Sequence, residues 1–166
     1  GCSLESELFS NPAFIADMQK YNYISARESL TFQLLKNAGL TNIGCRPDSA
    51  FTLPAEYLKL PEGFQENNTI GINVSPLVVK KGKKPGIVHI NYVNLIHWIL
   101  ENTDCSVALI PHVVWKDNDD RLPLSELYKR FSDTNRVLMV EDCNCQQLKG
   151  YISRCRLFVG ARTHAT

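Results

Sequence analysis

The sequence predicts an α/β protein in which helices flank a parallel, Rossmann-like β-sheet. Short apolar runs alternate with segments of helical periodicity, and the helices are long enough to connect parallel strands by right-handed crossovers. Polar side chains follow directly after several of these apolar runs. A chain of 166 residues with 44% hydrophobic and 21% charged residues is typical of a globular protein with its own core.

Net charge and hydropathy argue against nucleic-acid binding and against a transmembrane segment. The formal net charge is +1, so the chain has no overall field that would favour nucleic acid or an anionic surface. No apolar run approaches the roughly 20 residues of a membrane-spanning helix. We therefore expect neither nucleic-acid binding nor a transmembrane segment.

The first third of the chain predicts a strand, a helix and a second strand. Residues 21–26 form the first strand, and the helix opens at Arg27-Glu28-Ser29 and stops at Gly39, a residue type common after helix ends. Residues 43–45 form the second strand. Four apolar side chains are predicted to share the buried helix face: Leu30, Leu34, Leu35 and Ala38.

Residues 53–68 form the best linker candidate, since they contain two prolines, Gly63 and a polar run at 65–68. Beyond them the strand and helix signals alternate regularly. Strands are predicted at residues 69–74, 106–110, 137–140 and 156–159, and helices at about 85–101, from near 123, and at 144–153. Pro85 suits the first turn of its helix, and the apolar stripe of that helix comprises Val93, Ile96 and Leu100.

Cysteine and aspartate spacings do not predict a metal site. The six cysteines are scattered, so we expect most to be small buried thiols in a reducing compartment. Cys143-Asn144-Cys145 lacks the spacing of zinc or thioredoxin-type motifs. The acidic run at residues 117–120 could in principle hold a metal ion, but we interpret it as a solvated loop.

The carboxyl ends of the predicted strands carry the charged, titratable and hydroxyl side chains that are candidates for binding and catalysis. In a parallel sheet these ends meet at one edge, where ligands bind in open α/β folds. No G-x-G-x-x-G or P-loop motif supports a nucleotide site. The residues that follow the four strands are Ser75, His112, Glu141, Asp142, Arg162 and His164.

Six motifs in order give the chain a family resemblance. They are Ile24-Ser25-Ala26-Arg27-Glu28-Ser29 with Leu34-Leu35 following, Pro47-Asp48-Ser49-Ala50-Phe51-Thr52-Leu53, Gly71-Ile72-Asn73-Val74-Ser75-Pro76, Ile110-Pro111-His112-Val113, Leu148-Lys149-Gly150-Tyr151-Ile152-Ser153 and Phe158-Val159-Gly160-Ala161-Arg162-Thr163-His164-Ala165. Together they resemble the polysaccharide pyruvyl transferase family over nearly the whole chain. The chain departs from the family pattern at Thr163, where many members have leucine, and threonine should preserve the backbone geometry there.

The resemblance implies two Rossmann-like domains in a glycosyltransferase-B-like architecture. On this basis residues 1–62 are the end of an N-terminal domain, 63–68 a linker, and 69–166 a truncated C-terminal domain. Family members are considerably longer. We therefore expect the sequence to belong to a larger protein and to be inactive alone.

The resemblance also implies transfer of a pyruvyl group from phosphoenolpyruvate to a sugar, giving a pyruvate ketal without a metal or other cofactor. Arg162 is the first candidate to bind the anionic donor, because its planar fork matches carboxylate and phosphate. His164 is the candidate general acid, and His112 a base or a phosphate contact. Ser75 with nearby backbone N–H groups is a candidate phosphate contact.

Further substrate-binding candidates are Asn73, Glu141 and Arg27. For Arg27 a solvated position at a helix start is the alternative, and Asp48 is interpreted as a turn residue that bonds its own backbone. The basic run at 80–84 is either a solvated loop or an attraction site for an anionic glycan or lipid-linked acceptor.

The resemblance suggests a bacterial cytoplasmic enzyme of exopolysaccharide biosynthesis. The alternative is an enzyme that associates peripherally with the inner face of the membrane. Two other functions stay open. One is a nucleotide-sugar glycosyltransferase of the same architecture, and the other is a non-catalytic module.

Overall fold

The computed structural model describes residues 6–165. The chain divides into two compact units, of which the first ends at Leu53 and the second begins at Pro54. Each unit has its own apolar core.

The first unit is built on one strand–helix–strand repeat. Its elements are a 3-10 helix at Ser6–Ser10, α1 at Pro12–Met18, β1 at Ile24–Ala26, α2 at Ser29–Asn37, β2 at Ile43–Cys45 and a 3-10 helix at Ser49–Thr52. β1 and β2 pair in parallel with Ile24 opposite Ile43. Glu28 caps α2, because its carboxylate accepts the backbone N–H groups of Leu30 and Thr31, both at 2.7 Å.

Two details of the first unit correct the sequence prediction. The first strand is shorter than predicted and begins at Ile24, not at residue 21. Leu30, predicted on the buried face of α2, is 76% exposed, whereas Leu35 is fully buried. Leu30 lies in the first turn, and the core of this unit instead collects Phe32 and Leu35. Gly39 follows the helix with a positive φ of 80° that favours glycine.

The second unit contains the larger sheet. Its elements are β3 at Thr69–Ile72, α3 at Pro76–Lys80, α4 at Ile87–Asn102, β4 at Ser106–Leu109, β5 at Val114–Trp115, β6 at Asn118–Asp119, α5 at Arg121–Phe131, a 3-10 helix at Ser132–Thr134, β7 at Val137–Met139, α6 at Cys145–Ile152 and β8 at Leu157–Val159. β3, β4, β7 and β8 form one sheet in the order β7-β4-β3-β8. All three pairings are parallel, which confirms the predicted α/β class.

Side chains alternate between the two faces of this sheet, as the period of a strand requires. On one face Ile70, Ile72, Val107, Leu109 and Val137 pack against α4 and α5. On the other face lie Gly71, Ala108, Leu138 and Phe158, covered by α6 and by apolar residues of the segment 58–64. The sheet is therefore covered on both faces, as expected for buried parallel strands.

The second unit also has elements that the sequence analysis did not predict, namely α3 and the β5–β6 hairpin. α4 begins at Ile87, so the prediction that Pro85 lies in its first turn is wrong. Gly86 precedes this helix with φ of 73°, a left-handed conformation that turns the chain into the helix. The buried stripe of α4 contains Val93 and Ile96 as predicted, but Ile99 rather than Leu100 completes it.

The cysteines are less buried than predicted. All five described cysteines are free thiols, and only Cys105 is buried, while Cys45 and Cys145 are exposed. Cys2 lies outside the described residues. None of the helices in residues 6–165 is long and apolar enough to cross a bilayer.

Candidate functional site

The strand order defines where a ligand site is expected. From β3 the chain moves outward to β4 and then β7, whereas β8 returns to the opposite side of β3. This reversal creates a topological switch point between the ends of β3 and β8, the position where open α/β sheets bind ligands. We call the side of the sheet at which the four strands end the carboxyl edge, and the opposite side the amino edge.

Asn73 is the first residue after β3 and is fully buried at this switch point. Its backbone N–H continues the ladder to Val159 at 2.9 Å. Its side chain spans the carboxyl edge: Nδ2 donates to the Ile110 carbonyl at 3.0 Å, and Oδ1 accepts the N–H of Ala161 at 3.3 Å. Asn73 thus links the ends of three adjacent strands.

Asp120 lies at the centre of a buried polar network. Its side chain is 0% exposed, and Oδ2 accepts backbone N–H groups of His112 at 3.1 Å and Val113 at 3.0 Å. The same oxygen accepts Nδ2 of Asn73 at 2.9 Å. A buried carboxylate needs such donors and a nearby cation, because burial of an unpaired charge is unfavourable.

Arg162 is that cation. Its Nη2 donates to Oδ1 of Asp120 at 2.6 Å and to Oδ1 of Asn118 at 2.9 Å, and its Nε lies 3.2 Å from Asp120 Oδ1. The Arg162 side chain is 12% exposed. Among the described residues, Nη1 of Arg162 makes no hydrogen bond. One edge of the guanidinium is therefore fixed by the protein, and Nη1 is available to an anion.

His112 follows β4 and lies in the same cluster. Burial lowers the pKa of its imidazole below the ordinary value, and the positive charge of Arg162 and the His164 side chain act in the same direction. The Asp120 carboxylate opposes them and raises it. Nδ1 of His112 is buried and has no hydrogen-bond partner within residues 6–165. The structure thus holds an imidazole with a lowered pKa and one ring nitrogen that has no hydrogen-bond partner in the described residues.

Four of the predicted site residues come together: Asn73, His112, Arg162 and His164. His164 is exposed, and its side chain acts electrostatically on the imidazole of His112, so both histidines belong to the same part of the site. Ser75 is buried after β3, where its Oγ caps α3 by accepting the N–H of Leu77 at 3.1 Å.

Of the other predicted site residues, Glu141 lies apart from this cluster and Arg27 belongs to the first unit. Glu141 follows β7, the edge strand farthest from β8, and is exposed. Arg27 belongs to the first unit, where its Nη1 lies 2.7 Å from the carboxylate of Asp48. Asp48 also accepts the N–H of Ala50 at 2.9 Å, which confirms its interpretation as a turn residue. Substrate roles for Ser75, Glu141 and Arg27 stay predictions.

The sequence analysis missed Asp120, and its interpretation of the whole run 117–120 as a solvated loop is wrong. The run is the second half of the β5–β6 hairpin, in which Trp115 pairs with Asn118 across a two-residue turn. The Asp120 N–H donates to the Val113 carbonyl at 2.8 Å and closes the base of this hairpin. The fold thereby returns Asp120 to the end of β4, next to His112.

This arrangement can bind an anion and move a proton. A guanidinium held in place by a buried carboxylate is preorganised, so it need not reorient when a ligand arrives. A neutral imidazole close to it can accept a proton. No cluster of three or more metal-ligating side chains is present in the described part of the chain.

Comparison with known proteins identifies the family. No curated protein and no solved structure matches the chain. The family model for polysaccharide pyruvyl transferase matches residues 9–166, nearly the whole chain and every motif of the site. The protein therefore belongs to the polysaccharide pyruvyl transferase family.

Proposed function

We propose that the protein transfers a pyruvyl group from phosphoenolpyruvate to a sugar of a cell-surface polysaccharide and forms a pyruvate ketal. The family match supports a transferase that acts on a saccharide. The observation that carries the donor assignment is the Arg162–Asp120 pair at the switch point, at 2.6 Å. Phosphoenolpyruvate carries a carboxylate and a phosphate close together, and arginine is the side chain best suited to such groups.

In this proposal Asp120 orients Arg162 rather than neutralising its function. The carboxylate occupies Nε and Nη2, and the donor binds the remaining Nη1. The amide of Asn73 and the backbone N–H groups of residues 112–113 fix the carboxylate in turn. The donor site would consequently be formed before the donor binds, which lowers the entropic cost of binding.

The two histidines divide the proton transfers. His164 protonates the methylene carbon of the donor, which makes C2 electrophilic. A sugar hydroxyl oxygen then bonds to C2, the C2–O bond to phosphate breaks, and phosphate leaves with that electron pair. A second hydroxyl of the same sugar then bonds to C2 in place of the departed phosphate and closes the ketal, and its proton passes to His164, which gave its own to the methylene carbon. His112 accepts the proton of the first hydroxyl, a role that suits an imidazole whose pKa is lowered by burial.

The proposal retains the other expectations of the resemblance. These are a two-domain, glycosyltransferase-B-like architecture for the whole enzyme, no metal or other cofactor, a bacterial cytoplasmic setting in exopolysaccharide synthesis, and a role for Ser75 in holding phosphate. Ser75 already caps α3, so a phosphate contact would share its hydroxyl with Leu77.

Calorimetric titration of phosphoenolpyruvate into the protein tests the donor assignment. We expect saturable binding by the wild type and a loss on the order of a hundredfold in Arg162→Ala, since charge-assisted hydrogen bonds are involved. Arg162→Lys keeps a cation beside Asp120 but lacks the fork, so it should also bind weakly while remaining folded. His164→Ala should retain most of the affinity, and Arg130→Ala on the exposed side of α5 is the matched control.

Binding of a nucleoside diphosphate without binding of phosphoenolpyruvate would contradict the proposal and favour a nucleotide-sugar glycosyltransferase. Binding of neither ligand by a folded protein would favour a non-catalytic module. Where donor binding is found, addition of candidate saccharides with detection of phosphate release and of a new ketal methyl group by NMR tests the transfer itself.

A further inference from the structure

We propose that Trp115 is a platform on which the pyranose ring of the acceptor saccharide stacks; this proposal rests on the proposed function. Trp115 is 74% exposed on the β5–β6 hairpin. The other exposed aromatic side chains of the second unit lie away from the carboxyl edge or pack elsewhere: Tyr57 beside Arg154, Trp98 on α4 and Tyr128 on α5. Trp115 alone among these four follows the end of a sheet strand.

The hairpin register places Trp115 beside the candidate donor site. Trp115 is directly opposite Asn118 in the antiparallel pair, so the two side chains project from the same face of the ribbon. Oδ1 of Asn118 accepts Nη2 of Arg162 at 2.9 Å. The indole therefore lies on the face of the hairpin that holds the guanidinium, one side chain away from it.

The hairpin is also held firmly enough to present a binding surface. Asp120 closes its base through the Val113 carbonyl at 2.8 Å and through the N–H groups of His112 and Val113. The carboxylate that orients Arg162 thus also fixes the start of the strand that carries Trp115. One buried carboxylate, that of Asp120, therefore positions both the guanidinium of Arg162 and the strand that carries Trp115.

The chemistry of an indole favours the acceptor over the donor as the occupant. A pyranose ring presents a face of C–H groups that packs on the electron-rich face of an aromatic ring, while its hydroxyl groups remain in water or meet the indole N–H. Phosphoenolpyruvate is small and anionic and has no such face. With the donor on Arg162 and a sugar on Trp115, the two substrates would meet on one side of the hairpin.

Intrinsic fluorescence tests this placement, because the chain contains two tryptophans, Trp98 and Trp115. Trp98→Phe leaves Trp115, on the hairpin, as the single tryptophan of the chain. Trp115→Phe leaves Trp98 as the single tryptophan, a matched control that is 58% exposed on α4. A glycan array first identifies the saccharides that the wild type binds. Titration with those saccharides should change the emission of Trp98→Phe and leave that of Trp115→Phe unchanged.

Affinity measurements on Trp115→Ala complete the test. We expect saccharide affinity to fall on the order of tenfold, as for other exposed tryptophan anchors, and phosphoenolpyruvate affinity to stay within about twofold. Unchanged saccharide affinity in Trp115→Ala, or an array on which the wild type binds no saccharide, would overturn the inference. The protein could instead bind a saccharide through Trp115 without binding phosphoenolpyruvate. That result would contradict the donor assignment and support the saccharide platform.

Discussion

The two edges of the four-stranded sheet hold arginines in opposite chemical surroundings. At the carboxyl edge, Arg162 meets a fully buried carboxylate, Asp120, and keeps Nη1 without a hydrogen bond in the described residues. At the amino edge, Arg136 and Arg154 donate to backbone carbonyls. The same side chain therefore serves different purposes at the two ends of the strands.

The amino-edge arginines hold chain segments together. Arg136 precedes β7, and its two terminal nitrogens donate to the carbonyls of Leu100 at 3.0 Å, Thr103 at 2.6 Å and Cys105 at 2.7 Å. These carbonyls include the end of α4, where a cation is favourable. Arg136 consequently fastens the end of that helix to the starts of two strands.

Arg154 has an equivalent role at the start of β8. Its Nε donates to the Gly150 carbonyl and its Nη1 to the Leu58 carbonyl, both at 2.9 Å. The guanidinium also lies within 5.5 Å of the ring centroid of Tyr57 and 5.4 Å of that of Tyr151, a cation–π arrangement. Carbonyls and rings can hold a cation without orienting it towards a ligand. Within residues 6–165, only the carboxyl edge combines a held cation with an imidazole whose pKa is perturbed.

The largest effect is expected when the ion pair at the carboxyl edge is broken. Arg162→Ala leaves Asp120 charged and buried without a cation, so we expect a loss of about 3–5 kcal/mol in the free energy of unfolding. Urea unfolding at neutral pH measures it. The double variant Arg162→Ala/Asp120→Ala should recover part of this loss, because it removes the unpaired charge. A double variant no more stable than Arg162→Ala would show that the pair is not coupled.

Loss of an amino-edge arginine should destabilise the fold without weakening donor binding. We expect Arg136→Ala to lower the free energy of unfolding by about 3 kcal/mol, since three backbone carbonyls lose a charged donor. The remaining folded protein should bind phosphoenolpyruvate with wild-type affinity in calorimetry. Arg130→Ala, an exposed arginine on α5, should change stability by less than about 0.5 kcal/mol. If fully folded Arg136→Ala protein did not bind phosphoenolpyruvate, the proposed distinction between the two edges would be wrong.

Gly150 provides a smaller test of the amino-edge packing. A Cβ at this position would overlap the backbone carbonyl of Glu56, whose N–H donates to the Gln146 carbonyl at 3.0 Å. Backbone has little freedom to move aside, so we expect Gly150→Ala to cost about 1–3 kcal/mol in urea unfolding. Lys129→Ala on the exposed side of α5 is the helix control. A stabilised Gly150→Ala would mean that the segment beginning at Pro54 is not packed against α6.

The sequence predicted the sheet better than it predicted the polar network. Strands such as β4 were found because buried parallel strands are continuous apolar runs, and the carboxyl-edge positions of His112 and Arg162 followed from the strand ends. The exposure of Leu30 was missed because periodicity gives the helix face but not how far it is covered. Asp120 was missed because its burial depends on a hairpin with two residues per strand, too short for an alternating pattern to reveal.

Acidification should reveal the perturbed imidazole at the carboxyl edge. The pKa of His112 is lowered in the folded protein, so between the ordinary histidine value of about 6.5 and the lower folded value the unfolded chain binds more protons. Stability must therefore fall as pH decreases through this range. His112→Gln should show a shallower decline than the wild type when urea unfolding is measured from about pH 7.5 to 5.

A second variant separates this effect from other titrating groups. The charge of Asp120 raises the pKa of His112, so Asp120→Asn should lower that pKa further and extend the decline to lower pH. In the transfer reaction, a base with a lowered pKa should keep the acidic limb of the rate profile below about pH 6.5. An acidic limb above that pH would assign the proton transfer to another group. Identical slopes of the unfolding free energy against pH in the wild type and in His112→Gln would also argue against His112. In that case the carboxyl edge would differ from the amino edge by its ion pair alone.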